Sequence, residues 1–267
     1  MPDDPTTGPA EGRVLQGTGL RVRSGSATDV GRVRDQNEDC LLDAPGVHVV
    51  ADGMGGHAAG EVASRLVVEV LGSLAQRPGV ARAEDLAGIL REANERILEA
   101  EREDPRQRGM GTTVTGLTVV DGGDHEEWLV FNVGDSRVYR MTGDRLEQVT
   151  RDHSEVRELV EAGLLDPAEV PYHPLRNVIT RSLGSDPAPE PDIWVLQPTD
   201  GERFVVCSDG LTGELDDDEI ADVLRSEPDP QAAAEALATA AVRAGGRDNV
   251  SVVVVAVEDE GSAAAER

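Results

Sequence analysis

Lysine is absent from this 267-residue chain, and all 25 basic residues are arginine. That excludes a Schiff-base lysine and a phosphate loop built on lysine. Basic charge is scarce altogether: against 52 acidic side chains the formal net charge is −27. A nucleic-acid binder driven by counterion release needs a basic face and is excluded. Aromatic residues make up 2% and hydrophobic residues 39%, so the core has to be aliphatic, with little excess. Cys40 and Cys207 are the only cysteines, and the opening Met-Pro-Asp-Asp carries no basic or apolar leader. Neither a disulfide scaffold nor secretion is expected. The longest apolar run, Val252–Val257, is far short of the ~20 residues of a membrane helix. There is no EF-hand pattern and no internal repeat. These absences point to a soluble, cytoplasmic protein, taken as a monomer, that binds neither nucleic acid nor membrane. So acidic a chain either comes from an acidic proteome or needs cations somewhere.

Residues 1–18 and 258–267 are polar and without periodicity and are expected to be disordered tails around a domain over 19–257. Within it, strands are predicted at Val47–Ala51, Thr113–Val120, Trp128–Val133, Arg137–Met141, Phe204–Cys207 and Val250–Val257. Short turns such as Asp121-Gly122-Gly123-Asp124 favour antiparallel pairing. Helical spacing occurs over Ala58–Leu74 and again through Leu86, Ile89, Leu90, Ala93, Ile97 and Leu98. Further helices are predicted at Ser154–Ala162, Asp216–Arg225 and Gln231–Ala244. Hairpins and helix pairs together give an α+β layered class. The proline-rich stretch 151–191 reads as a long insertion of the kind that forms functional flaps.

Three strands run into aspartates: Val50-Ala51-Asp52-Gly53, Val133-Gly134-Asp135-Ser136 and Cys207-Ser208-Asp209-Gly210. A fourth, Arg247-Asp248-Asn249-Val250, precedes the last strand. Any one Asp-Gly among so many acids is more often a solvated turn. Carboxylates gathered at strand tips, however, repel and raise one another's pKa unless cations neutralise them. Their hard oxygens suit Mg²⁺ or Mn²⁺ rather than zinc, and a two-metal hydrolytic site fits best. In Arg34-Asp35-Gln36-Asn37-Glu38-Asp39, an arginine close to a Glu-Asp pair offers a phosphoryl clamp beside further metal or water ligands.

Those segments, with Ala51-Asp52-Gly53-Met54-Gly55-Gly56-His57 and Gly109-Met110-Gly111-Thr112-Thr113, stand in the order found in type 2C, metal-dependent serine/threonine protein phosphatases. The chain resembles their compact bacterial branch from about Leu20 to Val257. The resemblance implies a four-layer α-β-β-α sandwich of two mainly antiparallel sheets flanked by helix pairs. It implies Mn²⁺ or Mg²⁺ as cofactor, two ions and a third in some bacterial members. Asp52 would bridge two metals, with the Gly53 carbonyl on one. Asp209 and Asp248 would complete the first site, and Glu38 would serve the second, with Asp39 as ligand or holder of its waters. Asp135 resembles the residue that shares a third metal with Asp209, and Arg34 the phosphate-binding arginine. The implied chemistry is in-line attack by a metal-bridging water on phosphoserine or phosphothreonine, with no side-chain nucleophile. The implied partners are phosphoproteins, including a Ser/Thr kinase that the enzyme opposes.

Neither cysteine is followed six positions on by arginine (Gly46 and Gly213 stand there), and no Asp-x-Asp-x-Thr motif occurs, which excludes thiolate and aspartyl-phosphate routes. Met54 stands where animal members carry a histidine, so no general acid is assigned. His57 opens a helix and takes a supporting role, as does Asn249. Asn177 stands where some bacterial relatives place a serine on the third metal. Two alternatives remain: a catalytically silent relative that binds phosphoproteins, and a phosphatase of an anti-sigma-antagonist switch protein. The silent relative is disfavoured because Asp52, Asp209 and Asp248 are all present. The second is disfavoured because about 20 N-terminal residues leave no room for a sensor domain.

Overall fold

The computed structural model describes residues 12–55, 59–75 and 83–259. In chain order it runs β1 (Arg13–Leu15), β2 (Leu20–Asp29), β3 (Asp39–Ala44), β4 (Val47–Met54), α1 (Ala59–Ala75), α2 (Ala83–Glu103), β5 (Gly111–Thr112), β6 (Val114–Asp121) and β7 (Glu126–Val133). It continues through β8 (Arg137–Thr142), β9 (Arg145–Gln148), α3 (Glu155–Glu161), β10 (Asp192–Leu196), β11 (Arg203–Cys207), α4 (Asp209–Thr212), α5 (Asp217–Ser226), α6 (Pro230–Ala244) and β12 (Val250–Asp259). One sheet has the order β1-β2-β12-β11-β8-β9 and the other β10-β7-β6-β4-β3, with β5 paired to β4. Neighbouring strands pair antiparallel, as the short turns predict.

Period-two alternation sorts the strand side chains between layers. In β12, Val250, Val252 and Val254 face α5 and α6, while Val253, Val255 and Val257 face the other sheet. In β7, Trp128 and Val130 point between the sheets, and Leu129, Phe131 and Val133 lie under α1 and α2. Strands covered on both faces read as unbroken apolar runs, which is why Val250–Val257 carries no polar alternation apart from Ser251. The α-β-β-α sandwich is therefore the observed arrangement, with a mostly aliphatic core.

Helix ends follow their capping chemistry. Asp216 and Glu219 form a reciprocal capping box at the start of α5, Asp229 caps α6 ahead of Pro230, and Ser154 caps α3. Arg13–Leu15 pairs with Leu20–Val22, and the core buries the apolar Leu15; the rest of the expected tails, 1–11 and 260–267, lies outside the described residues. β12 runs two residues past 257. The predicted strands also omitted β2, β3, β5, β9 and β10. In β2 the residues are small and polar, since Gly25 and Ser26 lie directly against Gln231 of α6. The flap holds α3 and a 3-10 turn at Pro167–Tyr172. Bridges Ser154↔Ile179 and Thr112↔Leu183 tie it to itself and to β5.

Candidate active site

At one end of the sandwich the strand tips of both sheets meet. The β3–β4 register sets Asp39 directly opposite Asp52. From the other sheet, β11 ends at Cys207 and hands the chain through Ser208 to Asp209, while β12 starts after Asp248 and Asn249. Ser208 Oγ donates to Asp39 Oδ2 at 2.8 Å and accepts the Ser251 N–H at 3.0 Å, so one hydroxyl joins the sheets beneath the site.

The backbone of Asp52 is fixed by the threonine pair of β5–β6. Its N–H donates to Thr113 Oγ1, and its carbonyl accepts from Thr112 Oγ1 and the Thr113 N–H. Gly53 is required by close packing: a Cβ there would run into the Gly60 carbonyl and stand 2.5 Å from the Glu38 carbonyl. Gly134 has φ +114, and a Cβ would stand 2.6 Å from Thr113, so only glycine turns the chain there toward Asp135. Asn249 organises the Arg34–Glu38 loop. Its Nδ2 donates to the Val30 and Gln36 carbonyls, and its Oδ1 accepts the Glu38 N–H. Across the mouth, Arg34 Nη2 donates to Asp248 Oδ2 at 2.7 Å.

This end concentrates carboxylates without enough cations. Burial, and then the charges of Asp39, Asp209 and Asp135, push the Asp52 carboxyl well above its usual range. Asp39 is pushed up to about 7 by burial, against the opposing hydrogen bond from Ser208. Asp135 is pushed up to about 8 by burial and by Asp209, and Asp209 is raised by burial and by Asp248. Glu38 is raised by burial, partly offset by a hydrogen bond from Gly60 N–H. The Arg34 guanidinium is held charged by its bond to Asp248.

The donor set suits hard divalent cations. It consists of carboxylates and backbone carbonyls, and Asp135 Oδ1 is buried with no hydrogen-bond partner, an atom that a cation or its water would satisfy. Among the described residues no three His, Cys, Asp or Glu side chains close on one point as a ready-made metal cage. Like charges hold one another apart without a cation, and Mg²⁺-type sites use one or two carboxylates with several waters. Asp209 and Asp248 line a smaller cavity, Asp52 lies against Asp39, Asp209 and Asp135, and Asp135 and Asp209 reach one open cleft.

That cleft, of about 740 Å³, lies between the flap and the strand tips, with Asp135, Asp152, Asp209, Tyr172, Arg176 and Asn177 among its lining. Asn177 shares that lining with Asp135 and Asp209, and Asn249 lies beneath the Arg34–Glu38 loop. Asp39 is half-buried, directly opposite Asp52. His57 lies outside the described residues. His153 is buried: its Nδ1 accepts the Gly134 N–H and its Nε2 faces Asp192, so it braces the loop that carries Asp135. Sequence reasoning missed Asp152, which Arg137 grips through two nitrogens, and the supporting hydroxyls of Thr113 and Ser208. Only the position of Thr113 within Gly-Met-Gly-Thr-Thr, and of Ser208 before Asp209, offered a signal.

The protein phosphatase 2C family model matches residues 33–244. Serine/threonine protein phosphatase PstP of Mycobacterium tuberculosis is 36% identical over 241 residues, 90% of this chain and 46% of that protein. The chain therefore spans about half the length of that relative. Protein phosphatase PhpP of Streptococcus pneumoniae is 35% identical over 87% of this chain and 96% of its own. The crystal structure of the catalytic domain of PstP with two manganese ions superposes with a TM-score of 0.82 at 35% identity, covering 90% of this chain and all of that one.

Proposed function

We propose that this chain, which belongs to the protein phosphatase 2C family, hydrolyses phosphoserine and phosphothreonine in proteins and needs Mn²⁺ or Mg²⁺ to do so. The observation that carries the reading is the set of buried and half-buried aspartates from both sheets, Asp39, Asp52, Asp135 and Asp209, facing one another under a charged arginine. A fold has no reason to bury such a set for stability, since desolvated like charges cost free energy. Cations bound there offset that cost.

In this reading Asp52 and the Gly53 carbonyl would help to hold two ions, with Asp209 and Asp248 serving one and Glu38 with Asp39 the other. Asp135 and Asp209 would hold a third, with Asn177 at its edge. Two divalent cations, when bound, supply a water acidic enough to attack at neutral pH and positive charge at the phosphoryl oxygens. Arg34 does the orienting: its planar fork matches two equatorial oxygens of a phosphoryl group. To do so it exchanges its bond with Asp248 for the substrate, and the charge on Asp248 is then left for a cation. Asn249 fixes the height of the Arg34–Glu38 loop, and the threonine pair fixes Asp52. Among the described residues no histidine lines the cleft.

The physiological setting proposed is that of a bacterial phosphatase opposing a Ser/Thr kinase, acting in signal transduction in the cytoplasm as a monomer. Among the described residues no helix is long and apolar enough to cross a membrane.

Hydrolysis of p-nitrophenyl phosphate tests the reading. Activity should require Mn²⁺ or Mg²⁺, vanish with chelator, and fall at least a thousandfold, about 4 kcal/mol of barrier, in Asp52→Asn and in Asp209→Asn. Metal-independent turnover, or full activity in either variant, would sink it.

A further inference from the structure

Most arginines near the cleft are already spoken for. Arg34 is bound to Asp248, Arg137 is gripped by Asp152, and Arg247 is committed through Nε and Nη2 to Glu214, with a further bond to the Gly213 carbonyl. Arg176, on the flap, is different. It is exposed, and no ion pair or hydrogen bond holds its guanidinium among the described residues. It lines both the main cleft, beside Asp135 and Asp209, and a smaller cavity of about 120 Å³ that it shares with Asp209, Asp248 and Arg247. In a chain with twice as many acids as arginines, an exposed arginine at the cleft that no carboxylate engages is available to an anion from elsewhere.

We infer that Arg176 reads a second anionic group on the phosphoprotein, a phosphate or a carboxylate borne by a residue close in sequence to the one being dephosphorylated. The inference rests on the phosphatase reading above. Arg34 donates to Asp248 and Arg176 lines a cavity with it, so both arginines neighbour the same carboxylate. An extended peptide advances ~3.3–3.6 Å per residue, so a group one or two residues from the scissile phosphate spans the distance across a single carboxylate. The exposed ring of Tyr172, 86% accessible, offers the intervening residue an apolar wall. Because the protein as a whole repels acidic peptides, a local cation produces discrimination rather than general affinity.

The test uses the Mn²⁺-loaded full chain and three phosphothreonine peptides alike except two residues from the scissile site, where one carries alanine, one glutamate and one a second phosphothreonine. The wild-type kcat/KM ratio of the second-anion peptides to the alanine peptide should exceed one, and the phosphate and glutamate arms show which anion is preferred. In Arg176→Ala that ratio should fall about tenfold, chiefly through KM, and Arg176→Lys should restore part of it. A ratio unchanged in Arg176→Ala, whether all three peptides lose rate equally or none does, overturns the inference. If the wild type cleaves none of the peptides, the phosphatase reading fails instead. The inference is then judged by calorimetric binding of the same peptides, where it requires a preference for the second anion that Arg176→Ala removes.

Discussion

At the end of the sandwich away from the cleft, Glu202 is fully buried, and its carboxylate accepts from Trp128 Nε1, the Thr199 N–H and the Arg140 guanidinium. Glu126, also buried there, accepts from Arg13 and the Gln16 N–H. At the cleft end Asp135 is buried and Asp39, Asp52 and Asp209 are half-buried, but their principal charged neighbours are one another. The same strands supply both ends: β7 starts at Glu126 and points its last residue at Asp135, and β11 starts beside Glu202 and ends beside Asp209. Each sheet thus carries, at one end, a buried acid satisfied by the fold itself and, at the other, acids left for something outside it. Burial alone does not mark a functional acid; burial without a protein cation does.

Exchanging a carboxylate for its amide should therefore change stability in opposite directions at the two ends. The largest effect is expected at the cleft. In metal-free protein, Asp135 ionises near 8 and Asp39 near 7, whereas both ionise near 4 when unfolded. Between these limits the folded state holds more protons, so stability is full below pH 4 and falls as pH rises toward 8. Asp135→Asn should flatten that slope and raise the metal-free Tm at pH 8, by an amount on the order of 3–5 kcal/mol in free energy. Mn²⁺ should cancel the slope in the wild type. Thermal melts from pH 4 to 8, with chelator and with Mn²⁺, decide this; a metal-free Tm that rises with pH would refute the account of the cleft.

Glu202→Gln should go the other way. It removes the charge that faces Arg140 while leaving Trp128 and Thr199 to be satisfied by one amide, and about 2 kcal/mol of destabilisation is expected by urea unfolding. An unchanged midpoint would mean that the far end is not held by that network.

How much of this contrast could be read in the chain depends on where the information lies. The aspartates at the tips of Val47–Ala51 and Phe204–Cys207 were legible because an apolar run ends there and an Asp-Gly pair follows at once. The family motifs joined them into one site and supplied the layer order. β12 was legible as a strand because eight of its residues are apolar or small. β2 was not, since Arg21, Arg23, Ser24 and Ser26 mask its inward Val22, and its register is set by β12 more than 200 residues later. Glu126 and Glu202 look like any of the other acids in sequence. Their burial arises from contacts with Arg13 and Arg140 that lie 113 and 62 positions away. Asp152 was equally hidden, being a loop residue until Arg137 closes on it.

Glu126→Gln grades the comparison further. Arg13 remains 32% exposed, so water substitutes in part for the lost carboxylate, and a loss of about 1 kcal/mol is expected. A loss as large as that of Glu202→Gln would show that the count of buried donors, rather than the burial of the cation, sets the cost.

The smallest effect is expected where neither end is involved. Glu92 and Arg96 pair at 2.9 Å on α2 with side chains 52% and 47% exposed. Solvent screens such a pair, and each long side chain gives up rotamer freedom to make it, so Glu92→Gln should change stability by less than about 0.5 kcal/mol. The distance and the chemical change are close to those at Glu202, so the difference between the two variants isolates desolvation as the physical variable. If Glu92→Gln proved as costly as Glu202→Gln, burial would not be what separates the acids of this fold. The opposite sign expected for Asp135→Asn would then need a cause other than unpaired charge in a dry site.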